Sequence, residues 1–519
     1  MARLGLSLRL LLFVAPLFAV SQSQVPLTST TAASSVNASW VADEVDFLAN
    51  LKTRLVGTRN HDKLIDHIQT ELESLGQEVF TDFWNYTFYN GPLCTPSLSV
   101  EGNDVHVTSW VPYSGLTSDS GVTGRLVNLV TSSLMASPNW ENARDAIAIT
   151  NVTNVPIALR SLLLVWPGSP EWDVTTRAPE LSAENFILPQ LGQAAKAGVK
   201  AVIFIWEQAP LGLVEGQYVP HFNLFSGIPV VFVQDLQSAQ GLLDAASRGA
   251  TATVTLQAKM EPNRQTRTLY TIFEGTELRN ESMILGTHTD GFNAVEENGH
   301  ITLLAQAHRL AAHPPRRTTI LVFVGSHLHY PAFSPPPFRG TSRWLSDHPE
   351  LWAGQGDPDS FVLGGQLKGV VSTSVEHLGA VHFEADIATN TYVRTNTTEP
   401  ELLGVSTAEL NDLLLENWIG ANPNVTRISN PNQAAISVPG ENYPYFLVAI
   451  PNVFIITVPD YLLKIWPVDF DERQLIDLEA MERQITSFLR LWEAMDGLPA
   501  SAFGVPPTDG KQTPIRVTI

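Results

Sequence analysis

From about residue 266 onward the sequence alternates short apolar runs with helical segments, and that alternation restricts the possible fold more than any other feature. "MILGT" (283–287), "TTILVFVGS" (318–326), "KGVVSTSV" (368–375) and "PNVFIITV" (451–458) are near-continuous β-branched or apolar runs, which read as strands covered on both faces. Between the first two, Ile301, Leu304, Ala307 and Ala311 mark one face of a helix. Strands that alternate with helices predict an α/β layer whose ligands gather at the carboxyl ends of the strands. Earlier, "RLVGTRNHDKLIDHIQTELESLGQEV" places Leu64, Ile65, Ile68, Leu72 and Leu75 at helical spacing, with Gly76 to end the helix before a strand near Val79. Near the C-terminus, Leu475, Leu478, Met481, Ile485, Phe488 and Trp492 predict an amphipathic helix against the sheet.

The texture differs between residues 116 and 262. There "LLLVWPG", "KAVIFIW" and "IPVVFV" are short strand-like runs around one helical segment, "PQLGQAAKAGV", and they predict a separately packed β-rich insert. The expected organisation is a signal peptide over 1–24, an N-terminal part of the main domain over 40–115, the insert over 116–262, the main α/β domain over 263–500 and a tail over 501–519. A chain of 519 residues accommodates this, since domains commonly run about 100 to 200 residues. The net charge of −21 argues against nucleic acid or an anionic membrane as partner.

The first residues carry Arg3 and Arg9, then an apolar run through Val20, then small polar residues, the pattern of a secretory signal. Six Asn-x-Ser/Thr sequons, at Asn37, Asn85, Asn151, Asn280, Asn396 and Asn424, fit a secreted, extracellular glycoprotein. Cys94 is the only cysteine, so no intrachain disulfide is expected and Cys94 reads as a small packing residue. No later stretch reaches the ~20 apolar residues of a spanning helix, and "KQTPIRVTI" is no anchor signal. The Pro-rich "SPPPF" at 334–338 reads as a loop.

Candidate chemistry lies at the strand ends. His288 and Asp290 follow "MILGT"; a neutral imidazole binds zinc through one nitrogen while a carboxylate fixes the ring through the other. Glu296 and Glu297 precede the helix that starts near Gly299, where a helix N-terminus favours carboxylates in any case. His327 follows the second run, and Glu376 with His377 follows the third. His308, His313, His329, His348 and His382 read as surface or packing residues.

The "HTD" at 288–290, "EENG" with the helix "ITLLAQAHRL", "VEHLG" and "YPYFLVAIPNVFI" together resemble the secreted zinc aminopeptidase family with a co-catalytic metal pair, family 28 of the metallopeptidases. That family also includes glutamate carboxypeptidases, glutaminyl cyclases and the non-catalytic ectodomain of the transferrin receptor. The helix around Leu64 is similar to the family's opening helix, and "AAKAGVKAVIFI" with "SGIPVVFV" resembles a protease-associated domain. The resemblance spans most of residues 45 to 495 and implies a three-layer zinc-exopeptidase-like α/β domain with a mixed central sheet and an inserted protease-associated domain.

Departures from the family pattern shape the expected site. His288, Glu376 and Glu297 stand where the family's first metal and its bridging carboxylate lie, with Glu296 the rival for the bridge. Where the family has a Glu-Glu pair this chain reads "GSHLHY", which offers His327 and no carboxylate, and no His follows His382 to serve as the late ligand. The resemblance therefore implies one zinc rather than two, on His288, Glu297 and Glu376, with His327 and His377 as further candidate ligands. Zinc lowers the pKa of water toward ~7 and polarises a carbonyl. Glu296 or His327 would then act as base, and Asp290 would hold the His288 ring. The expected activity is exopeptidase-like hydrolysis of peptide or small amide substrates. The alternatives are a non-catalytic binding protein on the same scaffold and a zinc-dependent cyclase or acyl-transfer enzyme.

Overall fold

The main sheet has eight strands, and its order explains why polar residues collect at one edge. From one side it runs Val79–Tyr89, Met260–Phe273, Arg317–Val324, Leu278–His288, Lys368–Val375, Asn452–Ile456, Glu401–Val405 and Val425–Ile428. The four strands from Arg317–Val324 to Asn452–Ile456 are mutually parallel, whereas the Val79–Tyr89, Met260–Phe273 and Glu401–Val405 strands each pair antiparallel with a neighbour. The sheet is thus mixed, and the four parallel strands deliver their carboxyl ends to one place. This computed structural model describes residues 36–90, 95–132, 136–158, 175–221, 226–328, 340–354, 366–419, 425–428 and 440–506. Cys94, His329, the run "LLLVWPG", the Pro-rich stretch 334–338, the sequon at Asn424 and the segment 1–24 lie outside the described residues.

Alternation along the strands builds two cores. Ile284, Ile320, Val322 and Val324 pack with Trp344 and Tyr445 on one face. Their neighbours Met283, Leu285, Leu321 and Phe323 point the other way, into a cluster with Leu64, Leu304 and Ile485. Helices therefore cover both faces, which gives three layers. The Arg59–Ser74 helix buries Leu64, Ile65, Ile68 and Leu72 and stops before Gly76, whose φ of +75° suits a residue without Cβ. The Gly299–Ala312 helix is buried nearly all round, so its periodicity understates how central it is. The last helix starts later than its apolar pattern suggests: Asp477 caps Leu478–Asp496 by accepting from the Ala480 N–H, which leaves Leu475 in a preceding short turn and Leu478 at the exposed start.

A second sheet, also of eight strands, draws every strand from residues 97 to 255. Three of these, Ser97–Val100, Asn103–Val105 and Ser109–Trp110, precede residue 116, and Met260–Phe273 pairs in the main sheet although it begins before 262. The strands of the second sheet thus begin before residue 116 and end before 262, and its first strands are too short and polar to register as apolar runs. Connecting segments of the two sheets meet: the Tyr218 N–H donates to Leu463 O at 2.9 Å and the Tyr218 ring lies 4.9 Å from that of Phe292, just past the strand Leu278–His288.

Candidate metal centre

The strand Leu278–His288 ends between two parallel neighbours, so His288 emerges beside the segment carrying His327 on one side and beside Glu376 on the other. All of His288, Asp290, Glu296, Glu297, Glu376 and His377 are buried, at no more than 3% exposure. Burying that many ionisable groups costs several kcal/mol each unless they are paired or coordinate a cation.

The loop from 289 to 298 is held by Arg54, which is itself fully buried. Its guanidinium donates to the carbonyls of Lys52 at 2.7 Å, Asn293 at 2.8 Å and Glu296 at 3.0 Å. The Asn293 side chain ties the same loop to the segment after the last parallel strand through Leu462 O at 2.9 Å, and its Oδ1 accepts from the N–H groups of Val295 and Glu296. Gly291 has to be glycine, since a Cβ there would lie 2.1 Å from Glu296 O. The loop delivers Glu297 in a left-handed conformation, φ +78°, which a side chain rarely adopts without compensation. Compensation comes from its Oε1, which accepts from Thr287 Oγ1 at 2.8 Å and from the Gly299 N–H at 3.0 Å. Its Oε2 is left without a hydrogen bond.

Two imidazoles are oriented in the same way. His288 Nδ1 lies 2.9 Å from Asp290 O and His377 Nδ1 lies 2.8 Å from Thr457 O. A carbonyl only accepts, so each Nδ1 carries a proton, and Nε2 presents a lone pair whenever the ring is neutral. Both Nε2 atoms are buried and neither has a hydrogen-bond partner. One ligand atom each from His288, Glu376 and His377 falls within 4.8 Å of the others. From His288 Nε2 the distances are 3.0 Å to Glu297 Oε2, 3.9 Å to Glu376 Oε2 and 4.0 Å to Glu296 Oε1. Zinc–ligand bonds of 2.0 to 2.2 Å in a tetrahedron imply donor separations of about 3.4 Å, which these values bracket.

Electrostatics point the same way. Burial first, then neighbouring Glu376, pushes the Glu297 carboxyl up to about 8, against the pull of His288. Burial raises Glu296 well above the usual carboxylate range. For His288 burial opposes ionisation, yet Glu297, Asp290, Glu296 and Glu376 together hold it well above an ordinary imidazole. His377 is pushed down to about 3, by burial and then by His288, so it is neutral. The carboxylates draw protons into a cluster that a divalent cation would neutralise.

The remaining sequence-derived candidates are placed differently from expectation. Asp290 does not hold the His288 ring chiefly by its carboxylate, which is 3.4 Å from Nδ1 and accepts from the His327 N–H at 2.8 Å and the Leu328 N–H at 2.9 Å. Glu296 Oε2 accepts from the Phe292 N–H at 3.2 Å, which anchors it to its own loop. His327 does not offer Nδ1 to the cluster; that atom is bonded to Glu441, while the ring stacks on His288 at 4.4 Å between centroids. Glu441 was not visible as a site residue. It is fully buried, accepts from Thr341 Oγ1 with its other oxygen, and donates its backbone N–H to Glu376 Oε1 at 2.7 Å. It lies in "GENYPYF", just before the stretch in which a late His was sought, and a carboxylate beside that stretch was the one available signal.

No protein-family model matches the chain and no curated protein matches it in sequence. Solved structures do. A zinc aminopeptidase from Bacillus subtilis superposes with a TM-score of 0.57 at 15% identity, over 91% of this chain and 98% of that one. An aminopeptidase from Aneurinibacillus sp. strain AM-1 gives 0.56 at 13% identity, over 88% and 93%. A peptidase M28 precursor from Shewanella amazonensis SB2B gives 0.56 at 13%, over 88% and 96%. The chain therefore has the α/β fold of these aminopeptidases, with the candidate centre at the carboxyl ends of its parallel strands.

Proposed function

We propose that the protein is a secreted, N-glycosylated, zinc-dependent hydrolase of peptide or related amide bonds, exopeptidase-like, working with a single metal ion. The carrying observation is the convergence of the buried His288, Glu376 and His377, one ligand atom of each within 4.8 Å of the others, with Glu297 Oε2 3.0 Å from His288 Nε2. Neutral, Nδ1-anchored imidazoles and carboxylates are the donor set zinc takes, and backbone carbonyls fix the tautomers from behind. His288, Glu297 and Glu376 would hold the ion, with His377 as a fourth donor or as the group that closes the shell. When bound, zinc supplies polarisation of the scissile carbonyl and acidification of water.

Proton transfer falls to His327. It is part-buried, at 12% for its side chain, where the other members are fully buried, and Glu441 holds its Nδ1 as a buried carboxylate holds a catalytic imidazole in other hydrolases. His327 Nε2 would take the proton from attacking water and return it to the leaving amine. The second sheet serves as the protease-associated insert, and the signal-like N-terminus and the sequons support secretion. Among the described residues no helix is long and apolar enough to cross a membrane.

A panel of chromogenic aminoacyl anilides tests this reading. Cleavage should be abolished by a chelator, restored by zinc, and lowered ~100- to 10,000-fold in kcat by His327→Ala, the range of lost acid–base catalysis. Zinc-loaded, folded protein that cleaves no peptide or amide would move the assignment to a binding protein.

A further inference from the structure

A second cluster of metal-ligating side chains lies in the part of the chain that carries the second sheet. The helix Pro179–Phe186 places Glu180 and Glu184 four residues apart, hence on one face. Opposite them sits His221, 2% exposed. Its Nδ1 is 3.6 Å from Glu180 Oε1 and 3.3 Å from Glu184 Oε1, and one ligand atom from each of the three residues lies within 4.8 Å of the others. None of them belongs to the centre at His288.

Those separations are informative because they are long. Part-buried His–carboxylate pairs elsewhere in the chain close to 2.9 Å (His67–Glu44) and 2.8 Å (His348–Asp82 and His382–Glu399), as charge-assisted hydrogen bonds do. Outside the centre at His288, two further long pairs, His106–Glu215 at 3.3 Å and His308–Glu71 at 3.6 Å, involve imidazoles 48% and 43% exposed, where water competes. His221 is sheltered, and its 3.6 and 3.3 Å to the two carboxylates are close to the ~3.4 Å between donors in a tetrahedral zinc shell. Two like charges at this helical spacing also repel one another unless a cation lies between them.

We propose that Glu180, Glu184 and His221 form a second, peripheral site for a divalent transition cation, with one nitrogen and two oxygen donors suited to zinc. The carboxylates are 23% and 22% exposed, so the ion enters from solvent and binds more weakly than in the buried centre. Its effect is mechanical. Three residues before His221, Tyr218 packs on Phe292 of the metal loop, and close to the start of the helix Thr176 Oγ1 donates to Asp460 of the main domain at 2.7 Å. A cation clamping the helix to His221 joins two segments that each brace the catalytic half.

Calorimetric titration of the metal-free full chain with zinc is the test. Wild type should show a tight and a weaker event; Glu184→Gln should lose the weaker and keep the tight, and His288→Ala the reverse. Absence of the weaker event from folded wild type, or its survival in Glu184→Gln, would overturn the proposal. Should the catalytic reading alone be wrong, the tight event would be missing or insensitive to His288→Ala, while the weaker event still depended on Glu184. Glu184→Gln is part-exposed and nearly isosteric, and an unchanged near-ultraviolet circular dichroism spectrum confirms that it folds.

Discussion

Replacing Arg54 by Met removes a buried charge and its donors while keeping most of the side-chain volume. The carbonyls of Lys52, Asn293 and Glu296, at 2.7, 2.8 and 3.0 Å, lose their partner, and Glu297 O at 3.4 Å loses a weaker one. The charge also faces Glu472, Glu296, Glu297 and Asp290. Hydrogen bonds from a charged donor contribute about 1.5 to 3 kcal/mol each, but the freed carbonyls regain part of that through water or relaxation. Three bonds at about half that worth, together with carboxylates left without their nearest fixed cation, give roughly 3 to 5 kcal/mol, the range found when one partner of a buried pair is removed. Urea unfolding of the zinc-loaded protein, followed by tryptophan fluorescence, reads the change as a midpoint shift at constant m. Arg54→Lys should fall in between, since a lysine keeps the charge but not the planar fork. A loss below about 1 kcal/mol for Arg54→Met would refute the account of Arg54 as the clamp of the metal loop, because three buried carbonyls cannot be left unsatisfied so cheaply.

Other outcomes follow from the same geometry. Metal-free protein should lose stability as pH rises from about 6.5 to about 8: Glu297 (about 8) and His288, both raised by folding, hold protons there that the unfolded chain has released. His377, lowered to about 3, opposes this only until the unfolded imidazole, whose pKa is ~6.5, has lost its proton. Thermal melts across that range should show the decline, and added zinc should remove it; a flat apo profile would contradict the charge assignment. Glu441→Gln should lower kcat more than it raises KM and shift the acidic limb of the pH profile to lower pH, since the amide cannot stabilise a protonated His327; an unchanged profile would leave Glu441 a purely structural group. Glycopeptide mass spectrometry should find sugar at the exposed Asn85 and Asn396 but not at Asn151, whose side chain donates to Thr131 O at 3.1 Å and to Glu207 Oε2 at 3.0 Å.

Much of the fold was legible in the sequence because the central parallel strands are buried on both faces and so appear as unbroken apolar runs. The strand Met260–Phe273 was not, since its first half is exposed and polar, "MEPNRQ", and it gains its place by pairing with Val79–Tyr89 rather than by burial. His288 and Glu376 were legible as polar residues at the ends of such runs. His377 was ambiguous, because adjacent residues of an extended chain point to opposite sides. A φ of +59° at His377 breaks that rule and lets both neighbours face the cluster. Glu441 could not be found by local pattern: its partner His327 is 114 residues away, and only the folded sheet brings them together.

Zinc content, measured by mass spectrometry after gel filtration of wild type, His327→Ala and His288→Ala, tests the central claim most directly. One tightly held ion per chain is expected in wild type and in His327→Ala, with none in His288→Ala, since His288 supplies a ligand and His327 a proton path. No tightly held zinc in folded wild type, or a tightly held ion that survives the loss of His288, would contradict it.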